Sequence, residues 1–454
     1  MNPNPKSIID QGAMSAWQWA AILVLTALNA LDGFDVLSIS FASPGIAHDW
    51  GIDKATLGWV LSTELLGMAI GSVLLGNVAD KKGRRPMILG CLVAMAFGMY
   101  GAARAANIEI LLLSRLVTGL GIGGMLAAIN AAAAEVSNNR WRSLAMALMV
   151  IGYPLGGVLG GIVVKYLLAS GTWRDVFRAG AAATAIFIPI VWWLVPESVA
   201  FQDRVRAPDA LARINRTLVR FGHAAVNTLA APAERGSERS FMDIFRPGLA
   251  ATTALVTFAY FAHMTSFYFI IKWVPKIIVD LGFAPTAAAG VLQWVSVGGA
   301  TGGAIFGLIA TWVGLKRLTI VTMIGSCVMI VAFGHGATDL VSLTTRVAVA
   351  GLFTNATVVG LYSLFARVFP TQVRASGTGF AVGLGRGGAV AAPVIAGYLF
   401  QAGCSLQTVT TIMAMGSLAA AVALFALQDR DPESSLHSTP APQVGAAGAS
   451  SLPR

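Results

Sequence analysis

Asn29, Asp32 and Asp35 follow one another at three-residue steps inside an apolar stretch that runs from Trp17 to about Phe41. On a helix that spacing stacks all three on one face. Two carboxylates one turn apart repel, so such a pair is suited to loading and releasing a proton, which is what proton coupling needs. A plainer reading, two aspartates paired to cations, stays open beside it. Cations also stand in apolar surroundings. Arg386 lies in Gly383-Leu384-Gly385-Arg386-Gly387-Gly388, where small neighbours leave its planar guanidinium room to face a cavity and take an anion. Arg115, near the start of another apolar run, can hold Asp32 or Asp35, or bind a carboxylate itself. Glu64, His263 and Lys272 are further ionisable candidates, with Lys272 expected near the outer end of its run, where it can snorkel to the surface. His263 fits a hydrogen-bonded packing residue better than a proton carrier. Tyr260, Phe267, Tyr268, Trp294 and Tyr362 can line a cavity, although each alone fits ordinary packing.

The elements that position these groups follow from composition. Of 454 residues, 56% are hydrophobic and only 11% are charged, far below the roughly 25% charged residues of soluble domains. Twelve continuous apolar runs are predicted to cross a membrane as helices, near 17–41, 56–79, 86–104, 108–136, 142–168, 175–195, 249–272, 286–312, 318–334, 340–366, 374–400 and 404–427. Their continuity argues against a β-barrel, whose strands alternate. An ionisable group at the bilayer centre costs roughly 2.5–3.5 kcal/mol, so each one named above needs a reason. The net charge of +10 is not a nucleic-acid signal, because the cations cluster between runs, as in Lys81, Lys82, Arg84 and Arg85. Eight arginines in the polar stretch from Pro196 to Arg246 place that side, and with it both termini, in the cytoplasm. Cys91, Cys327 and Cys404 lack metal-ligand spacing and read as small core residues. Gly119-x-Gly121-x-x-Gly124 and Gly383-x-Gly385-x-x-Gly388 fit a dinucleotide fingerprint only on paper, since both lie inside membrane runs with no preceding strand. No metal, cofactor or enzymatic nucleophile motif is expected.

The chain repeats itself. Gly76, Asp80, Gly83 and Arg85 recur as Gly307, Thr311, Gly314 and Lys316, each at the same offset of 231 (307 − 76). Two parallel six-helix repeats with a site between them at mid-membrane are a known transporter plan. The loop Gly76-Asn77-Val78-Ala79-Asp80-Lys81-Lys82-Gly83-Arg84-Arg85 resembles the signature G-x-x-x-D-[RK]-x-G-[RK]-[RK] of the major facilitator superfamily. The expected fold is therefore all-α and polytopic: an N-terminal tail (1–16), a six-helix bundle (17–195), a central loop (196–248), a second bundle (249–427) and a disordered tail (428–454). Arg84, Arg85 and Arg142 are positioned to pair with Asp80 and Glu135, a cluster that in the superfamily latches the halves and releases during the swing. The same cations also fit a simple topology role. Thr311 in place of the acid makes the second copy a weaker latch.

A narrower resemblance follows. Asp32-Gly33-Phe34-Asp35 is similar to the D-G-[FY]-D signature of the aromatic acid/proton symporters, and so are Arg374-Ala375-Ser376-Gly377 and the run to Arg386 after Phe369-Pro370-Thr371. This resemblance implies a bacterial inner-membrane protein that takes up aromatic carboxylates or their ring-cleavage products with protons. It implies Asp32 and Asp35 in coupling, Asp80 with the loop cations in gating, and Arg386 in substrate binding. Arg115, Asn29, His263, Tyr268 and Glu64 are the further expected substrate contacts, and the working unit is expected to be a monomer. A proton-driven exporter shares the loop and is the nearest alternative; a non-transporting receptor is the rival from another class. Glu64 and Lys272 depart from the family pattern and leave the substrate subgroup open.

Overall fold

The computed structural model describes residues 5–229, 241–246, 248–335, 339–370 and 372–427. A short α1 (Pro5–Gln11) leads into α2 (Ala16–Trp50), α3 (Lys54–Lys82), α4 (Arg84–Arg104), α5 (Ile108–Val136), α6 (Arg142–Ser170) and α7 (Trp173–Leu194). The segment expected as a loop holds α8 (Val199–Val205), α9 (Ala210–Arg220) and a 3-10 turn at Phe241–Phe245. Then come α10 (Ala250–Asp280), α11 (Pro285–Val313), α12 (Leu315–Gly334), α13 (Leu340–Val368), α14 (Arg374–Gln401) and α15 (Leu406–Ala426). Twelve of these helices, α2–α7 and α10–α15, are long and apolar enough to cross a bilayer. The tail expected to be disordered, 428–454, lies outside the described residues.

Helix ends obey local chemistry. Ser15 and Gln18 form a reciprocal capping box on α2, and Asp53 caps α3 by accepting the Thr56 amide at 2.6 Å. That amide holds the Asp53 carboxyl below the usual carboxylate range. Gly51, with φ of +58°, makes the left-handed turn between them. Two helices outrun their expected ends. Beyond Phe41, α2 continues through Pro44 to Trp50, because Ser43 Oγ satisfies the Ser40 carbonyl that proline leaves without a donor. Its last turn is tied down by Trp173, whose indole donates to Asp49 at 2.8 Å. Likewise α10 continues through Pro275 to Asp280, so Lys272 sits well inside the helix and is fully buried. The expected snorkelling position is thereby corrected.

The repeat extends to the helices themselves. The offset of 231 (285 − 54) carries α3 onto α11 from first residue to last. Packing partners repeat as well: α2–α6, α3–α5 and α4–α7 in the first bundle become α10–α14, α11–α13 and α12–α15 in the second. The bundles meet along α3–α14, α6–α11 and α2–α10. Outward-facing Phe97, Tyr166, Trp192, Leu308, Trp312 and Phe425 supply the apolar exterior that lipid contact requires. Cys91 is buried and the other two cysteines are partly buried, all three free.

Glycine lets α2 and α6 touch backbone to backbone. A Cβ on Gly156 would lie 1.7 Å from the Ala30 carbonyl oxygen, and one on Gly33 would lie 2.1 Å from that of Tyr153. Neither atom can move without its helix. Gly156→Ala is therefore expected to destabilise by about 1–3 kcal/mol through forced separation. Thermal unfolding in detergent measures this, and an unchanged melting temperature would contradict so close a crossing.

Candidate functional site

Glu64 on α3 is the hub of a buried ionic cluster. One of its carboxylate oxygens pairs with the Arg115 guanidinium of α5, and the other lies 3.5 Å from the Lys272 ammonium of α10. All three side chains are fully buried. The two cations also bind consecutive carbonyls of α2: Arg115 donates to Asp35 O at 3.0 Å, and Lys272 donates to Val36 O. Four helices are thus knotted together by three side chains. Arg115 is steadied further by the Met99 sulfur at 2.9 Å and by the face of Phe177, 5.3 Å from its guanidinium carbon. Glu64 and Arg115, both expected to contact substrate, pair with each other here.

The carboxylates of Asp32 and Asp35 are buried one turn apart on α2, and none of their four oxygens has a hydrogen-bond partner among the described residues. Asp32 feels the charges of Asp35, Glu64 and Arg386, while Asp35 feels Arg115 and Glu64. Asn29, on the same face, donates to the Met149 carbonyl of α6 and leaves its own oxygen unpartnered. Arg386 approaches from α14, only partly buried, and donates to the Met68 carbonyl of α3 at 3.1 Å. Its field reaches three phenols, Tyr153, Tyr260 and Tyr268. Tyr268 and Tyr153 influence each other across the seam between bundles, and the Tyr260 and Tyr362 hydroxyls meet at 3.2 Å. Beside them a narrow cleft is walled by Leu37, Tyr153, Phe267, Ile271, Val295 and Asn355. Partnerless carboxylates, a half-open guanidinium and phenolic donors suit an anion with an aromatic body and a proton. Tyr153 escaped the sequence reading because a lone tyrosine in an apolar run carries no pattern.

Other expectations fall elsewhere. His263, expected to contact substrate, is enclosed by the second bundle, with Nε2 3.0 Å from the Thr354 carbonyl and Nδ1 3.0 Å from Ser417 Oγ. Both ring nitrogens have partners within that bundle. Trp294 points outward and is about half exposed.

The signature loop forms a second cluster at the face that carries the N-terminus. Arg84 pairs with Glu135 at 3.3 Å, as its sequence position predicts. The side chain of Asp80 lies outside the described residues. Arg142 pairs with Asp10 of α1 and binds the carbonyls of Ala134 and Ser137. Arg85 caps α7 through the Trp192 carbonyl and stacks on the Trp192 ring. The acid missed by sequence reading is Glu197, which accepts the Arg84 amide at 2.9 Å. Burial pushes its carboxyl above the ordinary range, partly opposed by the Ser198 and Arg84 amides. Gly83, at φ of +106°, is required there, since a Cβ would lie 2.3 Å from a Glu197 carboxylate oxygen.

Comparison with known proteins gives a consistent result. The family model described as Major Facilitator Superfamily matches residues 23–344 and 256–452. The chain is 28% identical over 426 residues to a gallate transporter of Pseudomonas putida, covering 93% of this chain and 94% of that protein. It is 28% identical to a 3-(3-hydroxy-phenyl)propionate transporter of Escherichia coli (strain K12), covering 88% and 91% respectively. A 4-hydroxybenzoate transporter, PcaK, of Pseudomonas putida is 27% identical, covering 92% and 94%. Among solved structures, the inward open xylose transporter XylE from E. coli matches with a TM-score of 0.70 at 16% identity, over 92% of this chain and 98% of that one. A D-xylose-proton symporter matches with a TM-score of 0.69 at 17% identity, over 90% and 97%.

Proposed function

The chain belongs to the Major Facilitator Superfamily, and from that premise we propose that this transporter takes up an aromatic carboxylate together with a proton by alternating access. The observation that carries the reading is the pair Asp32 and Asp35, buried at the centre with no hydrogen-bond partner on any carboxylate oxygen among the described residues. Charge balance supports it. Three buried carboxylates, Asp32, Asp35 and Glu64, answer three cations, Arg115, Lys272 and Arg386. A cargo carboxylate adds one negative charge, and one proton on Asp32 or Asp35 restores neutrality. Relatives named for gallate, hydroxyphenylpropionate and hydroxybenzoate support a hydroxylated aromatic acid. Arg386 takes its carboxylate, and Tyr153 and Tyr268 face its ring.

Energetics favour uptake with a proton. A monoanion moving against an inside-negative potential of ~100 mV is opposed by ~2.3 kcal/mol, roughly a forty-fold disadvantage. One proton moving with it cancels that cost. We place both termini in the cytoplasm, as the arginines of 196–248 require. The bundles are then sealed toward the outside, where Lys54 N meets Gln401 Oε1 at 3.2 Å and Ser62 Oγ meets the Val390 carbonyl at 2.6 Å.

The direct test is uptake of a panel of hydroxylated benzoates and phenylpropionates by proteoliposomes under an imposed pH gradient. Accumulation of none of them would overturn the reading. Arg386→Ala is expected to weaken binding of the transported acid roughly ten- to hundred-fold, the worth of a hydrogen-bonded charge. Arg386→Lys should fall between, keeping the charge but losing the fork. Equilibrium binding measures both, and an unchanged affinity in Arg386→Ala would move the anion elsewhere.

A further inference from the structure

Among the described residues, the Lys272 ammonium has its partners only in the first bundle, Val36 O of α2 and Glu64 of α3. Its backbone is anchored in the second. The adjacent Trp273 donates to the Pro393 carbonyl of α14 at 3.1 Å and packs on Phe400, ring centroids 5.0 Å apart. Pro275 lies one turn further on in α10. A fully buried ammonium is costly unless paired, and every partner it has here belongs to the opposite half. The same seam continues toward the face opposite the N-terminus, where α3 and α14 meet at Lys54 and Gln401 and the Lys54 ammonium sits over Phe400.

We infer that Lys272 is a positioning residue for transport, an interbundle tether whose ammonium holds the bundles together at this end by bridging α10 to Glu64 and the α2 backbone. It acts through the seam and not on the cargo. The arrangement has a built-in release. Glu64 is shared, so when the bundles part at this end Lys272 leaves and Glu64 stays neutralised by Arg115 within its own half. Opening therefore strands one charge, not two, and that one emerges into the widening gap where water can solvate it.

The inference rests on the alternating-access reading, and its test is chosen to be independent of any transported substrate. Cys91, Cys327 and Cys404 are replaced by serine, Ser62→Cys is introduced in the buried part of the seam, where Ser62 faces the Val390 carbonyl of α14, and thiol labelling is followed in membranes. Lys272→Met, which leaves the Glu64–Arg115 pair intact, is expected to raise the labelling rate at position 62 at least threefold. Lys272→Arg should restore the slow rate. A rate in Lys272→Met equal to the parent's overturns the tether, whether or not any acid is transported. Should Lys272→Met not reach the membrane, Lys272→Gln, which can still donate to Val36 O, is read in its place by the same criterion. Loss of both from the membrane, with Lys272→Arg retained, makes the charge a folding requirement and also overturns the proposal.

Discussion

Arg115→Met is expected to cost about 3–5 kcal/mol of stability, because removing one partner of a buried pair leaves the other charged and unanswered. Lys272 still lies near Glu64 and moderates the loss, so the lower end of that range applies. The pairing itself need not be worth so much. Exchanging every member of a buried cluster for neutral groups of similar volume is often close to neutral, so Glu64→Gln with Arg115→Met and Lys272→Met should recover more than half of what Arg115→Met loses. Glu64→Gln with Arg115→Met alone strands the Lys272 ammonium and should not. Thermal unfolding in detergent of Arg115→Met, the double variant and the triple variant separates these outcomes. A single variant within 1 kcal/mol of the parent, on the order of the worth of an exposed pair, would mean that Arg115 is solvated and that the hub around Glu64 is not as tight as its zero exposure indicates.

Asp32→Asn and Asp35→Asn should each leave the helices intact, since asparagine keeps the shape of the side chain and neither carboxylate accepts a hydrogen bond that would be lost. The effect appears in accumulation. A carrier that moves the anion without its proton works against the full electrical gradient. At ~100 mV the steady-state ratio should then fall roughly forty-fold, before the lost contribution of the pH gradient is added. Exchange of labelled for unlabelled acid, which needs no net proton movement, should survive in at least one variant. Uptake by proteoliposomes with separately clamped potential and pH measures both. Undiminished proton-driven accumulation in both variants would remove these carboxylates from coupling.

Much of the scaffold is readable because apolar runs report helices directly: 108–136 matches α5 at both ends. The misjudged ends are at prolines, where run length ends but a serine hydroxyl or a buried flank lets the helix continue, as at Ser43-Pro44. The span-one acids are legible as well, because charge in an apolar run is conspicuous. Which charges pair is not. Glu64, Arg115 and Lys272 come from three separated helices, and nothing in their spacing says that one side chain of α3 meets cations from both α5 and α10. His263 illustrates the limit. It occupies the repeat position of Asp32 (32 + 231 = 263), yet Ser417 and Thr354 consume both of its nitrogens, so equivalent register did not preserve equivalent chemistry. Tyr153 and Glu197 acquire meaning only from neighbours distant in the chain.

The repeats share a scaffold but divide its charges unequally. Asp32, Asp35, Glu64 and Arg115 leave the first bundle with a surplus of two negatives, while Lys272 and Arg386 leave the second with two positives. Across a water-poor seam such opposite surpluses attract more strongly than they would in solvent. A proton on the first bundle halves one surplus, and a carboxylate on Arg386 halves the other. With one proton and one acid bound as proposed, either alone halves the product of the two surpluses and both together quarter it, so a complete load slackens the seam more than a partial one.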